Sequence, residues 1–324
     1  MVISQTPLRI SMVGGGTDLK AFYQKSSGAV ISSAIDKFIY VIVKKRFDDL
    51  IVLHYTENEI CNKVDDIKHD LIREAMKKTG VDRSVEIITL GDIPSQGSGL
   101  GSSSSVTVGL LNALYNYQGF SASNEKLARD ACDIEINILG KPIGKQDQYI
   151  AAYGGLKKFI FNPDDTVDVM DFSLEEDDLL KLGSNILLHF TNQTRSADKI
   201  LSKQNRNIDN RLKELSSIKD LVSLFENGIK KRNFDILGEL LKINWGNKKK
   251  LADGITKPEI ESMVSLALDN GAAGCKIAGA GGGGFLLSYV PREKQDAFRK
   301  AMDCYRELPF MMFRYGSRIV FNIN

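Results

Sequence analysis

The segment GSGLGSSSS at positions 97–105 runs without a break into VTVGLLNALY, and few architectures can use such a join. Glycine adopts positive φ freely but loses more conformational entropy than any other residue when fixed. Three glycines at 97, 99 and 101 therefore mark a loop that must bend sharply. Beyond the serines, Val106, Leu110, Ala113, Leu114 and Tyr117 recur at helical spacing, which predicts one buried helix face. A flexible linker has no need of such a defined helix entry. Two readings stay open: an ordinary helix start, or a cradle in which first-turn N–H groups and serine hydroxyls hold an anion. Backbone donors and hydroxyls together at a helix N-terminus suit a phosphate chain.

Two familiar phosphate loops are excluded by inspection. A P-loop ends in Gly-Lys-Ser/Thr, and no lysine follows Gly101. A dinucleotide fingerprint has GxGxxG spacing near the start of a βαβ unit, with an acid about 20 residues further on. Neither the spacing nor the position matches. Two more glycine clusters flank this loop. PLRISMVGGGTDL carries Gly14 to Gly16 followed by Thr17 and Asp18, with Arg9 upstream in the same predicted strand. Those charges frame either a hydroxylated substrate or a plain Arg–Asp ion pair across a turn. KIAGAGGGGFLLSYV joins two apolar segments through Gly279 and Gly281 to Gly284. A tight hairpin needs only one or two glycines, so close packing on a neighbouring backbone or on a ligand is expected.

Length bears on domain organisation. A chain of 324 residues exceeds what one core usually serves. Early segments read as strands (VISQTPLRISMV, GAVISSAI, KFIYVIVKKRF, SVEIITL), and DDIKHDLIREAMKKTG reads as a helix closed by Gly80. SNEKLARDACDIEINILG is a second helix with Ser123 as N-cap and Gly140 as its stop. LKKFIFNPDD is a strand leaving toward a turn, and the boundary is drawn there, at 160/161. The second half opens on the strand NILLHFT and is helical from about 196 to 252. A helix begins at Pro258, and strand, helix and the strand PFMMFRYGS finish the chain. The class is α+β, with a sheet in each lobe.

Charge and cysteine content narrow the function. A formal net charge of +2, with no basic–aromatic stripe, argues against nucleic acid and anionic membranes. NKKK at 247–250 reads as a solvated face. Four scattered cysteines without CxxC or histidine companions fit a reducing compartment. No apolar run approaches the roughly 20 residues of a membrane helix, and the N-terminus lacks the pattern of a signal peptide. A cytoplasmic protein is expected. In GKQDQYIAAYGG, Asp147 begins an apolar helical run, either as an N-cap or as a group that accepts a hydroxyl proton. Glu135, on the preceding helix, could join a loop serine on Mg²⁺, which takes one or two carboxylates plus phosphate oxygens and water.

In this order and at these separations, the three glycine-rich segments resemble the three motifs of the GHMP small-molecule kinases. That family includes galactokinase, homoserine kinase, mevalonate kinase and phosphomevalonate kinase. The resemblance runs from PLRISMVGGGTD to KIAGAGGGGF, and PSQGSGLGSSSS is similar to the family's ATP-phosphate loop. It implies a two-lobed fold, with a ribosomal S5-like N-terminal lobe (1–160), a ferredoxin-like C-terminal lobe (161–324) and the site between them. ATP is then held by Gly97, Ser98, Gly99, Leu100, Gly101, Ser102, Ser103 and Ser104, and Mg²⁺ by Ser103 and Glu135. Asp147 takes the place of a catalytic aspartate, and Arg9 that of the basic residue that pairs with it and makes the acceptor hydroxyl more acidic. Gly15, Gly16, Thr17, Asp18, Lys145, Gln146, Arg195, Gly281 and Gly282 fall where substrate is bound, Asp18 matching an acid that binds sugar hydroxyls.

Within the family, GGGTDL with GKQDQYIAAYGG looks most like the branch that phosphorylates the anomeric oxygen of D-glycero-D-manno-heptose 7-phosphate. TNQTRSADKI looks like that branch too, and fucose kinases share a similar version. A sugar phosphate carries about −1.5 to −2 charges and wants cations. Arg195, Lys145 and Lys141 are candidates by type, with a solvated role as the alternative for each. The resemblance thus implies ATP and a sugar phosphate as partners of a monomer or homodimer that supplies GDP-heptose assembly. Rival readings are another sugar 1-kinase and, from a different class, a non-catalytic sugar or nucleotide sensor.

Overall fold

The computed structural model describes residues 1–93, 97–172, 174–194 and 197–323. Its main sheet has eight strands in the order β11-β1-β2-β5-β3-β4, with β6 and β7 branching from β2. In chain order the N-terminal elements are β1 (Val2–Val13), α1 (Lys20–Ser26), β2 (Gly28–Lys45), β3 (Ile51–His54), β4 (Asn58–Cys61), α2 (Asp70–Thr79), β5 (Val85–Gly91), α3 (Ser102–Tyr117), α4 (Asn124–Cys132), α5 (Gln146–Tyr153), β6 (Leu156–Phe161) and β7 (Val167–Asp171). The remainder comprises α6 (Glu176–Ser184), β8 (Ile186–Phe190), α7 (Ala197–Asn207), α8 (Leu212–Lys230), α9 (Ile236–Lys248), α10 (Pro258–Asp269), β9 (Gly274–Ile277), β10 (Phe285–Tyr289), α11 (Gln295–Ala301) and β11 (Arg318–Asn322).

GAVISSAI and KFIYVIVKKRF, expected as two strands, form the single strand β2. Its length lets it serve three partners. One edge pairs with β1 along most of its course, while Gly28–Ser33 pair with β6 and Ile39–Lys45 pair with β5. All pairings in this sheet are antiparallel except β3 with β5. α3 lies on β1 and β2 and is itself covered by α2, α4 and α5. It is buried on every side, rather than on the single face its periodicity suggested. Val108, Leu110, Leu111 and Leu114 are fully buried, each stabilising by about 1.5–3 kcal/mol. Gly109 lets the helix approach the sheet, since a Cβ there would lie 2.9 Å from Thr6 Oγ1. Gly80 and Ser123 cap α2 and α4 as their sequences predict, Gly80 with φ of 75° and Ser123 accepting from Lys126 N.

The second sheet has three antiparallel strands in the order β8-β10-β9. α9 packs on β9 and α8, and α8 also reaches β2, so that Val222 and Phe225 join the apolar core of the main sheet. A separate cluster around Trp245, Ile260, Met263 and Phe298 fills the far side of the small sheet.

Two expectations about the chain's ends of elements change. The helix expected to run to Gly140 leaves α-geometry at Asp133 and continues as a π turn over 133–138. PFMMFRYGS is not a strand. It follows an irregular path with one β-bridge, between Met312 and Ile35, and scattered backbone hydrogen bonds, and the strand is the polar-flanked RIVFN that follows, β11, paired with β1. Sheet pairing also crosses the 160/161 division, because β6 pairs with β7 and β11 returns to the first lobe.

Candidate functional site

Between the lobes lies a cleft of about 700 Å³, lined by all three glycine-rich segments and by the turn before α5. Its floor is the loop ahead of α3. Gly97, Gly99 and Gly101 have φ of 76°, 75° and 81°, the left-handed region that favours glycine. Gly101 is the N-cap of α3 and brings no side chain to its first-turn N–H groups. Ser98 Oγ instead braces the loop, 3.0 Å from Ser102 Oγ and accepting from Leu100 N at 3.3 Å. Leu100 is buried in the core and does not line the cleft; its carbonyl accepts from Arg9 N at 3.0 Å. The third glycine segment is the loop's backing. A Cβ on Gly99 would lie 2.7 Å from Ala278 O, one on Gly279 2.7 Å from Gly99 Cα, and one on Gly284 2.5 Å from Ser98 O.

Beside this loop Arg9 and Asp147 meet. Arg9, buried in β1, donates from Nε to Asp147 Oδ1 at 2.7 Å and from Nη2 to Oδ2 at 2.6 Å. Its remaining Nη1 donates to Gly99 O at 2.6 Å. Two parallel bonds of this kind fix orientation as well as charge. Asp147 Oδ1 also accepts from Gln146 Nε2 at 3.0 Å, and Gln146 Oε1 accepts from Ser11 and Ser32. Oδ2 faces the loop, 3.4 Å from where a Cβ on Gly101 would stand.

Asp18 closes the other flank. Its Oδ1 accepts from Gly16 N at 3.0 Å and its Oδ2 from Gln146 N at 3.2 Å. Burial raises its pKa, the nearby Asp147 raises it further, and the backbone donors oppose the rise. Between the ordinary 3.8 and that raised value the folded state holds the extra proton, so stability falls as pH rises through the window. Asp18→Asn is expected to flatten this part of the Tm–pH curve relative to the parent; parallel curves would contradict the assignment.

Glu135 is fully buried on the π turn, a geometry that recurs at functional sites. Its Oε1 accepts from Ser103 Oγ at 2.9 Å and its Oε2 from Gln148 Nε2 at 2.7 Å, with Lys141 Nζ 3.9 Å away. Burial pushes its carboxyl up, against the pull of Lys141 and the hydroxyl and amide donors.

Several residues named from sequence have other tasks here. Thr17 is buried and ties its turn together by donating to Gly14 O and Ala29 O. Lys145 turns away from the cleft to Asp165, 2.9 Å from its carboxylate and over the Tyr23 ring. Gly281 and Gly282 pack on Ile255, while Gly279 and Ala280 line the cleft in their place. Arg195 lies outside the described residues. Gly15, Gly16, Asp18, Gln146 and Lys141 do line it.

Two cations escaped the sequence reading. Lys248, assigned with NKKK to a solvated face, is buried on α9 and donates to Ile277 O and Gly279 O. Its i+4 spacing from the buried Asn244 was the available signal. Lys276, a lone lysine in a buried strand, also lines the cleft. Burial, then Lys248, then Arg9 push its ammonium well below the ordinary lysine range.

Known proteins resemble this chain in sequence and in fold. Residues 67–155 match the family model of the GHMP kinases N terminal domain, and residues 221–306 that of the GHMP kinases C terminal. A D-glycero-alpha-D-manno-heptose 7-phosphate kinase from Campylobacter jejuni is 30% identical over 313 residues, covering 92% of each chain. An L-fucokinase/L-fucose-1-P guanylyltransferase from Bacteroides fragilis is 27% identical over 92% of this chain, which spans 35% of that longer protein. The crystal structure of a D-glycero-D-manno-heptose 1-phosphate kinase from Bacteroides thetaiotaomicron superposes over 100% of both chains with a TM-score of 0.83 at 24% identity, a likeness of fold. The α+β, two-lobed fold expected from the glycine segments is thus the fold found. Both halves of one family match in chain order, and the chain belongs to the GHMP kinases, enzymes that transfer a phosphoryl group from ATP to a small molecule.

Proposed function

We propose that this enzyme transfers the γ-phosphoryl group of ATP to the anomeric hydroxyl of D-glycero-D-manno-heptose 7-phosphate. The observation that carries the chemistry is the Arg9 clamp on Asp147. Oδ1 already accepts two hydrogen bonds and Oδ2 only one, so Oδ2 keeps a free acceptor site on the side of the loop. An acceptor hydroxyl held there gives its proton to Asp147 while its oxygen attacks the γ-phosphorus, and the β–γ bridge breaks to release ADP. In such reactions positioning and charge stabilisation supply most of the acceleration. The loop's first-turn N–H groups hold the phosphates, and Arg9 stabilises negative charge beside the reacting oxygen.

The oxygen donors Ser103 and Glu135 fit Mg²⁺, which needs few protein ligands when phosphates supply the others. Among the described residues no group of three or more acidic, cysteine or histidine side chains is placed to hold a metal ion. When bound, Mg²⁺ neutralises charge on the β- and γ-phosphates. Of the three cations named from sequence for the sugar's own phosphate, Lys141 lines the cleft. Four free thiols fit a cytoplasmic enzyme, and among the described residues no helix is long and apolar enough to cross a membrane. A monomer or a homodimer would serve.

The substrate itself rests on the 30% identity to the heptose 7-phosphate kinase over 92% of the chain. A second reading, an L-fucose 1-kinase, is supported by the fucokinase relative. ADP release measured over heptose 7-phosphate, free heptose, L-fucose, galactose and mevalonate separates them. Turnover of heptose 7-phosphate well above the others is expected. Activity confined to an unphosphorylated sugar would overturn the substrate while leaving the family intact.

A further inference from the structure

Gln204, on α7 in the second lobe, is 3% exposed, and its amide nitrogen has no hydrogen-bond partner among the described residues. It nevertheless lines the cleft. Leaving a buried donor unpaired is destabilising, and such groups are rare enough that each calls for a reason. The nitrogen lies over the first glycine turn, since a Cβ on Gly16 would come within 2.8 Å of it. Gly16 has φ of 98°, so its backbone and the Gln204 amide packed on it together exclude a side chain at that point. The adjoining Gly15 borders Ser11 and Gln146, the latter the partner of Asp147. A ligand resting on these two glycines therefore touches the proton-accepting region at one end and Gln204 at the other.

We propose that Gln204 is a specificity-determining residue that donates its amide N–H to a ring or chain hydroxyl of the sugar acceptor. The chemistry at this end of the cleft selects a neutral polyol over a phosphate. Asp18 holds the N–H of Gly16, and Asp198, an exposed residue on the same helix as Gln204, also lines the cleft. Two carboxylates repel an anion, whereas hydroxyls can donate to a carboxylate and accept from an amide. The acceptor thus lies with hydroxyls toward α7, and any phosphate it carries points elsewhere. Because Gln204 comes from the second lobe and Gly16 from the first, the sugar touches both.

This inference rests on the sugar-kinase reading and is tested with Gln204→Leu, which keeps the volume and removes the donor. The expected result is a rise of about tenfold in the KM for the sugar, the equivalent of ~1.4 kcal/mol. The KM for ATP should stay within about twofold. Tm should hold or rise, because an unpaired buried group has been removed; a residue with a purely structural role would lower it. Monodeoxy sugars locate the hydroxyl: the one lacking the partner should be used equally well by parent and variant. Gln204→Met, of matching length, replaces the leucine variant if that one does not fold. An unchanged sugar KM in a folded variant, or equal losses toward ATP and sugar with a lowered Tm, would overturn the inference. If the parent prefers L-fucose or galactose, the heptose assignment fails and Gln204 is judged on that sugar. A parent that turns over no sugar at all overturns both.

Discussion

Asp147→Asn should slow phosphoryl transfer by ~10²–10⁴-fold, the usual worth of a positioned general base, while ATP binds as it does to the parent. The carboxamide has nearly the same shape, so the loop and α5 stay where they are. What changes is the chemistry of the two atoms that face Arg9 and the acceptor. An amide presents one oxygen and one NH₂. With its oxygen in the place of Oδ1, the nitrogen replaces Oδ2, where it meets Arg9 Nη2 and offers no acceptor to the incoming hydroxyl. With the amide reversed, the NH₂ meets the guanidinium and the clamp breaks. Neither orientation provides both the ion pair and the proton acceptor. Stopped-flow measurement of the chemical step with a fluorescent ATP analogue to report binding separates the two effects. Turnover within tenfold of the parent would remove Asp147 from the proton transfer.

Gly99→Ala should damage stability and nucleotide binding together. Its φ of 75° costs an L-residue about 1–2 kcal/mol, and the new methyl would meet Ala278 O at 2.7 Å, a backbone atom that has no side-chain freedom with which to yield. Relief requires the phosphate loop and the 278–284 segment to part. That displacement carries Gly99 O away from Arg9 Nη1, so the disturbance reaches the ion pair. A fall in Tm and a rise of about tenfold or more in the KM for ATP are expected, ~1.4 kcal/mol for each factor of ten. Gly80→Ala is the control. It shares the positive φ, yet nothing lies within 4 Å of its added methyl. It should lower Tm by the backbone cost alone and leave the KM for ATP untouched. If both variants behave alike, the packing of the two glycine segments has no bearing on the nucleotide.

What could be read in the sequence is what local chemistry dictates. Glycines in the left-handed region, the serine-rich helix entry and the Ser123 and Gly80 caps all act within a few residues, and each was legible. Side-chain destinations set by distant partners were not. Lys145 was a candidate phosphate ligand by residue type, but Asp165, twenty residues on, captures it. Lys248 looked solvated inside a lysine run, although the helix turns it alone inward among its neighbours. The apolar PFMMFRYGS satisfied every local criterion for a strand. It is shaped instead by close passage over α5, where Gly154 and Gly316 admit each other's backbones and Ser317 N bonds to Ala151 O. Periodicity reports which face of a segment is apolar and is blind to which part of the chain will cover it. Gln204 illustrates the same limit, since a glutamine in a polar helix carries no mark of an unmet donor until Gly16 is folded against it.

The pairing of β11 with β1 has a consequence for how the protein is made. The ribosome delivers Val2–Gln5 long before their partners Arg318–Asn322. Throughout synthesis that margin of β1, the strand that also carries Arg9, faces the cellular milieu as an unzipped ribbon open to wrong partners. Completion of the first lobe is therefore a late, long-range event of the slow-folding kind.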